Sequence, residues 1–180
     1  MRKIIGLAGT FASGKDTVAD YLVSRYGYNH VSTGDIVRTE ALKRGLTTHR
    51  DDLFNVANDM RNVYGADILV SSVLKANTAK RVVISGIRNA KEVEALKAAN
   101  GYFVFVDAPI ESRYERAKSR GRLEDKTDLA GFKAQEEREL NNSAEHTQHI
   151  EAIKGMADIT LINDADLDTL KRKSDEIVED

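Results

Sequence analysis

The chain has 180 residues, 31% of them charged and 41% apolar, with a net charge of −2, one proline and no cysteine. That length supports one domain with a sizeable core, and the composition excludes disulfides, thiolate metal sites and a catalytic thiol. There is no basic excess of the kind that binds nucleic acid or an anionic membrane surface, and no run approaches the roughly 20 apolar residues of a membrane span.

In chain order the sequence predicts a strand over 3–8, a helix over 15–26, a strand over 28–32 and helices over 35–44, 50–64 and 67–77. A strand over 81–85, a helix over 90–100, a strand over 102–107 and helices over 110–120, 129–140 and 144–156 follow. A strand over 158–163 and a helix over 166–179 close the chain. The runs Val82-Val83-Ile84 and Phe103-Val104-Phe105-Val106 are continuously apolar, as in parallel strands covered on both faces. The alternation therefore predicts an α/β domain with a five-stranded parallel sheet and helices on both faces. Ligands in such sheets sit beyond the carboxyl ends of the strands, here at segments 9–17, 32–38, 85–89 and 107–122. Residues 33–78 make a large helical insertion between two strands. Residues 120–131, polar and containing Gly121 and Gly131, read as a mobile flap. The start of the chain is strand-like at once, which leaves no room for a signal peptide; with the lack of cysteine this fits the cytoplasm. The oligomeric state is left open.

The segment Gly9-Thr10-Phe11-Ala12-Ser13-Gly14-Lys15-Asp16-Thr17 lies between the first strand and the first helix and has Gly-x-x-x-x-Gly-Lys spacing. Such a loop turns successive N–H groups toward one anion, and the helix behind it adds its positive dipole end. Lys15 reaches the outer phosphates of a nucleotide. Gly9, Ala12, Ser13, Gly14, Lys15, Asp16 and Thr17 are therefore the candidate residues for the phosphates of ATP, in a P-loop NTPase core. The position after the lysine usually holds Ser or Thr, whose hydroxyl meets Mg²⁺; here it is Asp16, with Thr17 next. Either side chain can serve the metal shell, directly or through water, and Asp16 reads equally as a first-turn acid favoured by the helix dipole.

The stretch Val31-Ser32-Thr33-Gly34-Asp35-Ile36-Val37-Arg38 resembles the start of the monophosphate-binding region of adenylate kinases. Ser85-Gly86-Ile87-Arg88 is similar to that family's segment after the third strand. Arg116 and Arg120 resemble the arginines at its lid entry, and Asn163-Asp164-Ala165 lies where the family cradles adenine. The resemblance implies a single kinase domain over 1–180, with an acceptor-binding insert at about 33–78 and a lid at about 120–138. It implies ATP as co-substrate and Mg²⁺ as cofactor. Lys15, Arg88, Arg116 and Arg120 become candidate catalytic residues. Thr33, Gly34, Asp35, Arg38 and Arg88 become candidates for the acceptor, and Arg116, Asn163 and Ala165 for ATP. Arg122 and Arg138 are further candidates to close with the lid. In many members an acid at the position of Ser85 orders Mg²⁺ through water; serine lacks that charge, and Asp16 or Asp107 is the candidate to compensate.

The resulting expectation is phosphoryl transfer to a nucleoside or deoxynucleoside monophosphate. One alternative is a dephospho-coenzyme A kinase, whose hydroxyl acceptor calls for a base such as Asp35. Another is an adenylate-kinase-like ATPase that regulates a protein or ribonucleoprotein partner. Plainer readings stand beside these. Arg113, Arg116 and Arg120 also form a solvated, ion-paired stripe pattern. Asp35 and Thr33 also suit a helix start. His146 and His149, three apart with no third ligand nearby, read as a surface pair.

Overall fold

A computed structural model describes residues 1–119, 128–140 and 150–179 of the chain. Strands β1 (Ile4–Gly9), β2 (Asn29–Ser32), β3 (Val82–Ser85), β4 (Tyr102–Asp107) and β5 (Ile159–Ile162) form one sheet in the order β2-β3-β1-β4-β5. Every pairing is parallel, with Leu7 level with Ser85 on one side and Val104 on the other. The central strand β1 thus feeds the P-loop, and its neighbours β3 and β4 end on either side of it.

Among the described residues the helices are α1 (Lys15–Tyr26), α2 (Thr33–Lys43), α3 (Arg50–Tyr64), α4 (Ile68–Ala76), α5 (Ala90–Ala98), α6 (Ile110–Ser119), α7 (Leu129–Leu140), α8 (Ile150–Lys154) and α9 (Leu167–Glu176). Two cores cover the sheet. On one face Val18 and Leu22 of α1 and Leu170 of α9 meet Ile5, Leu7, Val83, Val104 and Val106. On the other, Val70, Val93, Leu96 and Ile153 meet Ile84, Phe103 and Phe105. This two-sided burial is why β3 is buried at all four positions and reads as a continuous apolar run.

The insertion carries its own small core, in which Val37 and Ala41 of α2 pack with Val56 and Ala57 of α3 and Leu69 of α4. Helix α2 begins at Thr33, two residues before the sequence suggests, with Ser32 as N-cap. The Thr33 hydroxyl donates to the carbonyl of Gly86 at 2.8 Å and pins that first turn to the exit of β3. The expected 144–156 helix is seen as α8 from Ile150 onward, residues 141–149 lying outside the described part, together with His146 and His149.

Candidate active site

The P-loop is shaped by close approach. Gly9 has φ +147°, and a Cβ there would lie 1.9 Å from the carbonyl oxygen of Val106, so glycine lets the ends of β1 and β4 meet. Gly14 caps α1 at φ +102°, and a Cβ there would lie 2.5 Å from Nδ2 of Asn163. Lys15 lies over the loop mouth, its ammonium donating to the carbonyls of Thr10 (2.8 Å) and Gly9 (3.3 Å). The buried hydroxyl of Ser13 makes no hydrogen bond among the described residues. An orphaned donor beside a lysine and a helix N-terminus fits a phosphate cradle.

Side chains from distant segments hold the loop from behind. The Thr10 hydroxyl donates to Asp107 Oδ1 at 2.9 Å, and the same carboxylate accepts from the amide of Ala108 and from Lys154 Nζ, each at 2.9 Å. Burial pushes the Asp107 carboxyl up, but the bonds from Lys154, Thr10 and Ala108 outweigh it and hold it below the usual carboxylate range. Asp107 is therefore engaged on the loop. Ser85 Oγ itself lies 2.8 Å from His30 Nε2.

At the exit of β5, Asn163 Nδ2 donates to the Ser13 carbonyl at 2.8 Å. Arg116 donates to that carbonyl at 3.5 Å and to the Asn163 carbonyl at 3.2 Å. Arg113 corrects the solvated-stripe reading. It is 5% exposed, forks onto both oxygens of Glu136 on α7, and donates to the carbonyl of Ala108 at 2.8 Å and to that of Phe11 at 3.4 Å. Phe132 of α7 packs between Phe11 and Tyr114, with ring centroids 5.9 and 5.8 Å away. Helix α7 is thus seated on the tip of the P-loop. Gly131, expected at the end of the flap, lies in the first turn of α7, its amide bonded to Asp128 Oδ1 at 2.7 Å.

Between the P-loop and the insertion lies a cavity of about 240 Å³. Lys15 and Asp16 enter it from the loop, Arg38 from α2, and Arg88 from the turn after β3. Thr33, Gly34, Ser85 and Gly86 form its floor, and Phe11, Val37, Leu53, Phe54 and Leu69 its apolar wall. Ala12 of the loop also lines it, with a left-handed φ of +59°. The sequence-predicted Asp35 does not line it: its carboxylate is exposed and pairs with Arg38 from outside. Thr17 is half-buried on α1, and Ala165 is exposed beyond β5. Arg120 and Arg122 lie outside the described residues, and of Arg138 only its place in α7 is described.

The sequence reading misses Arg61 and Glu92. Arg61, on α3 and 2% exposed, lines the cavity and pairs with the fully buried Glu92 of α5 at 2.9 Å. The one available signal was Asn89 followed three residues later by Glu92, a capping-box pattern that α5 forms.

Among the described residues no group of three His, Cys, Asp or Glu side chains is placed to hold a metal ion. Asp16 is exposed in the cavity, so the residues present fit a cation carried mainly by a nucleotide's phosphates. Among the same residues no helix is long and apolar enough to cross a membrane.

A parallel sheet in this order, with a glycine-bounded loop and lysine at the end of its central strand, defines an α/β P-loop NTPase core of kinase-like fold. Residues 5–146 match the family model described as an AAA domain. The chain belongs to the UPF0200 family. It is 38% identical over 143 residues to a UPF0200 protein of Pyrobaculum aerophilum, covering 78% of this chain and 79% of that one. It is 32% identical over 168 residues to one of Methanococcus maripaludis, covering 90% and 88%. Among solved structures, a shikimate kinase from Acinetobacter baumannii in complex with shikimate is similar in fold, with a TM-score of 0.63 and 15% identity over 99% of this chain and 92% of that one.

Proposed function

We propose that this protein transfers the terminal phosphoryl group of ATP, with Mg²⁺, to a nucleoside or deoxynucleoside monophosphate. The observation that carries this reading is the shared cavity: Lys15 and Asp16 of the P-loop face the same 240 Å³ space as Arg38 and Arg88. A hydrolysing switch has no need of two further arginines beside its P-loop.

In this reading the loop amides and Lys15 hold the β- and γ-phosphates, and Arg116 contacts the donor side of the loop. Asp16 and Thr17 are the residues that would serve the shell of Mg²⁺, which would supply charge neutralisation on the outer phosphates. Arg38 and Arg88 grip the acceptor phosphate, for which the guanidinium fork is suited. An oxygen of that phosphate attacks the γ-phosphorus, the bond to the β-phosphate oxygen breaks, and ADP leaves. An acceptor phosphate is ionised at neutral pH, so no general base is required. A hydroxyl acceptor would want one, and Asp35 lies outside the cavity, which favours the phosphate acceptor. Residues at about 120–138, Arg120 among them, are the proposed lid that excludes water during transfer. The reading places the protein in the cytoplasm with its nucleotide substrates.

The test is a coupled assay of ADP release across the common nucleoside and deoxynucleoside monophosphates and dephospho-coenzyme A. Release that depends on a monophosphate and disappears in Lys15→Ala supports the proposal. Release indifferent to every acceptor supports the partner-regulating ATPase instead.

A further inference from the structure

The buried Arg61–Glu92 pair is placed oddly for a pair that only stabilises. Removing two charges from water can cost more than their attraction returns, and apolar pairs of similar volume often serve as well in such places. This pair stands in the wall of the cavity that also receives Arg88.

Its hydrogen bonds are unevenly shared. A guanidinium has five N–H donors. Arg61 gives one from Nε (3.0 Å) and one from Nη2 (2.9 Å) to the same oxygen, Glu92 Oε1. Nη1 gives one to Asn58 Oδ1 at 3.4 Å, a long bond. Two N–H groups take no protein partner among the described residues, one on each terminal nitrogen. The other oxygen, Glu92 Oε2, accepts from the amides of Arg88 (2.9 Å) and Asn89 (3.3 Å). A single carboxylate therefore anchors Arg61 of the insertion through its side chain and Arg88 of the β3–α5 turn through its backbone.

We propose that Arg61 is a further acceptor-binding residue, gripping the acceptor's phosphate together with Arg88, and that Glu92 is the positioning residue that sets both arginines. This rests on the kinase reading given above. The geometry supplies what such a site needs: a cation held in a fixed orientation before the ligand arrives, with donors left over. Glu92 offsets the charge of Arg61 while the cavity is open. An incoming phosphate then meets the remaining N–H groups of Arg61 and the side chain of Arg88 in one cavity.

The test uses the full chain with its P-loop saturated by the Mg²⁺ complex of a non-hydrolysable ATP analogue, so that added anion is directed to the second site. Inorganic phosphate is the probe. The Nε–H resonance of Arg61, assigned by its loss in Arg61→Lys, is followed by NMR during the titration. The proposal expects a saturable shift of that resonance together with that of Arg88. Movement of Arg88 while Arg61 stays unmoved overturns it, as does no saturable response of either. Arg61→Lys keeps the charge beside Glu92 and so guards the fold. At an unchanged melting temperature it is expected to bind phosphate about tenfold more weakly because the fork is lost, with affinity for the ATP analogue held within about twofold. Equal phosphate affinity contradicts the assignment. A shift of Arg61 by phosphate in a protein that phosphorylates no monophosphate leaves the anion site standing and sinks the monophosphate-kinase reading alone.

Discussion

The side-chain amide of Asn163 donates to the backbone carbonyl of Ser13 at 2.8 Å, joining the exit of β5 to the P-loop across 150 positions of sequence. Because Gly14 has no Cβ, the amide fits beneath the loop. The contact is buried, so among the described residues its loss leaves the Ser13 carbonyl with the long bond from Arg116 alone. Asn163→Ala is expected to cost about 1–3 kcal/mol in stability and to weaken ATP binding through a misshapen loop. Denaturant unfolding and calorimetry measure the two effects. Lost stability with unchanged ATP affinity would separate Asn163 from the donor site.

Asp107 makes the loop sensitive to acid. Its carboxyl is held below its unfolded value by bonds from Lys154, Thr10 and Ala108, against the opposing effect of burial. A group with a depressed folded pKa adds stability above its unfolded pKa, about 4 for aspartate, and loses it as pH falls through the lower folded value. Stability is therefore expected to drop below about pH 4, and Asp107→Asn to flatten that slope at the cost of stability near neutrality. Melting temperatures of both proteins from neutrality down into that acid range are the check.

Arg113 ties three pieces together: the P-loop at Phe11, the exit of β4 at Ala108, and α7 at Glu136. Arg113→Ala leaves Glu136, whose side chain is only 14% exposed, without its partner. The expected cost is about 3–5 kcal/mol, with faster hydrogen exchange in α7 and the P-loop together. Faster exchange in α7 alone would show that the helix is not coupled to the loop.

Gly9→Ala is expected to be among the most damaging single substitutions, because the new methyl meets backbone rather than a movable side chain. Overpacking of this kind costs about 3 kcal/mol or more. A soluble variant with wild-type unfolding would contradict the close approach of β1 and β4.

Much of this was legible from local pattern. The spacing of Gly9, Gly14 and Lys15 gives the loop, and the apolar runs at Val82 and Phe103 give the two strands flanking β1, because each feature is set within a few residues. Helices α1, α3 and α7 match their expected limits. What stayed hidden depends on packing between remote elements. Arg61 meets Glu92 across 31 positions, a contact fixed by how α3 lies on α5. Arg113 shares its helical spacing with Arg116 and Arg120, a pattern that suits a solvated face as well, and it is packing against α7 and the P-loop that buries it. Asp35 and Arg38 are one turn apart on α2, yet the direction of the helix sends Arg38 into the cavity and Asp35 out of it.

The central claim is that the cation-lined cavity beside the P-loop receives the phosphoryl group of ATP on an acceptor phosphate. The most direct measurement incubates the full chain with Mg²⁺, γ-labelled ATP and each nucleoside monophosphate in turn, then identifies the labelled product. The account predicts label on the corresponding diphosphate, with ADP formed in equal amount and neither product formed by Lys15→Ala. Label found only in inorganic phosphate, whichever monophosphate is supplied, would contradict it.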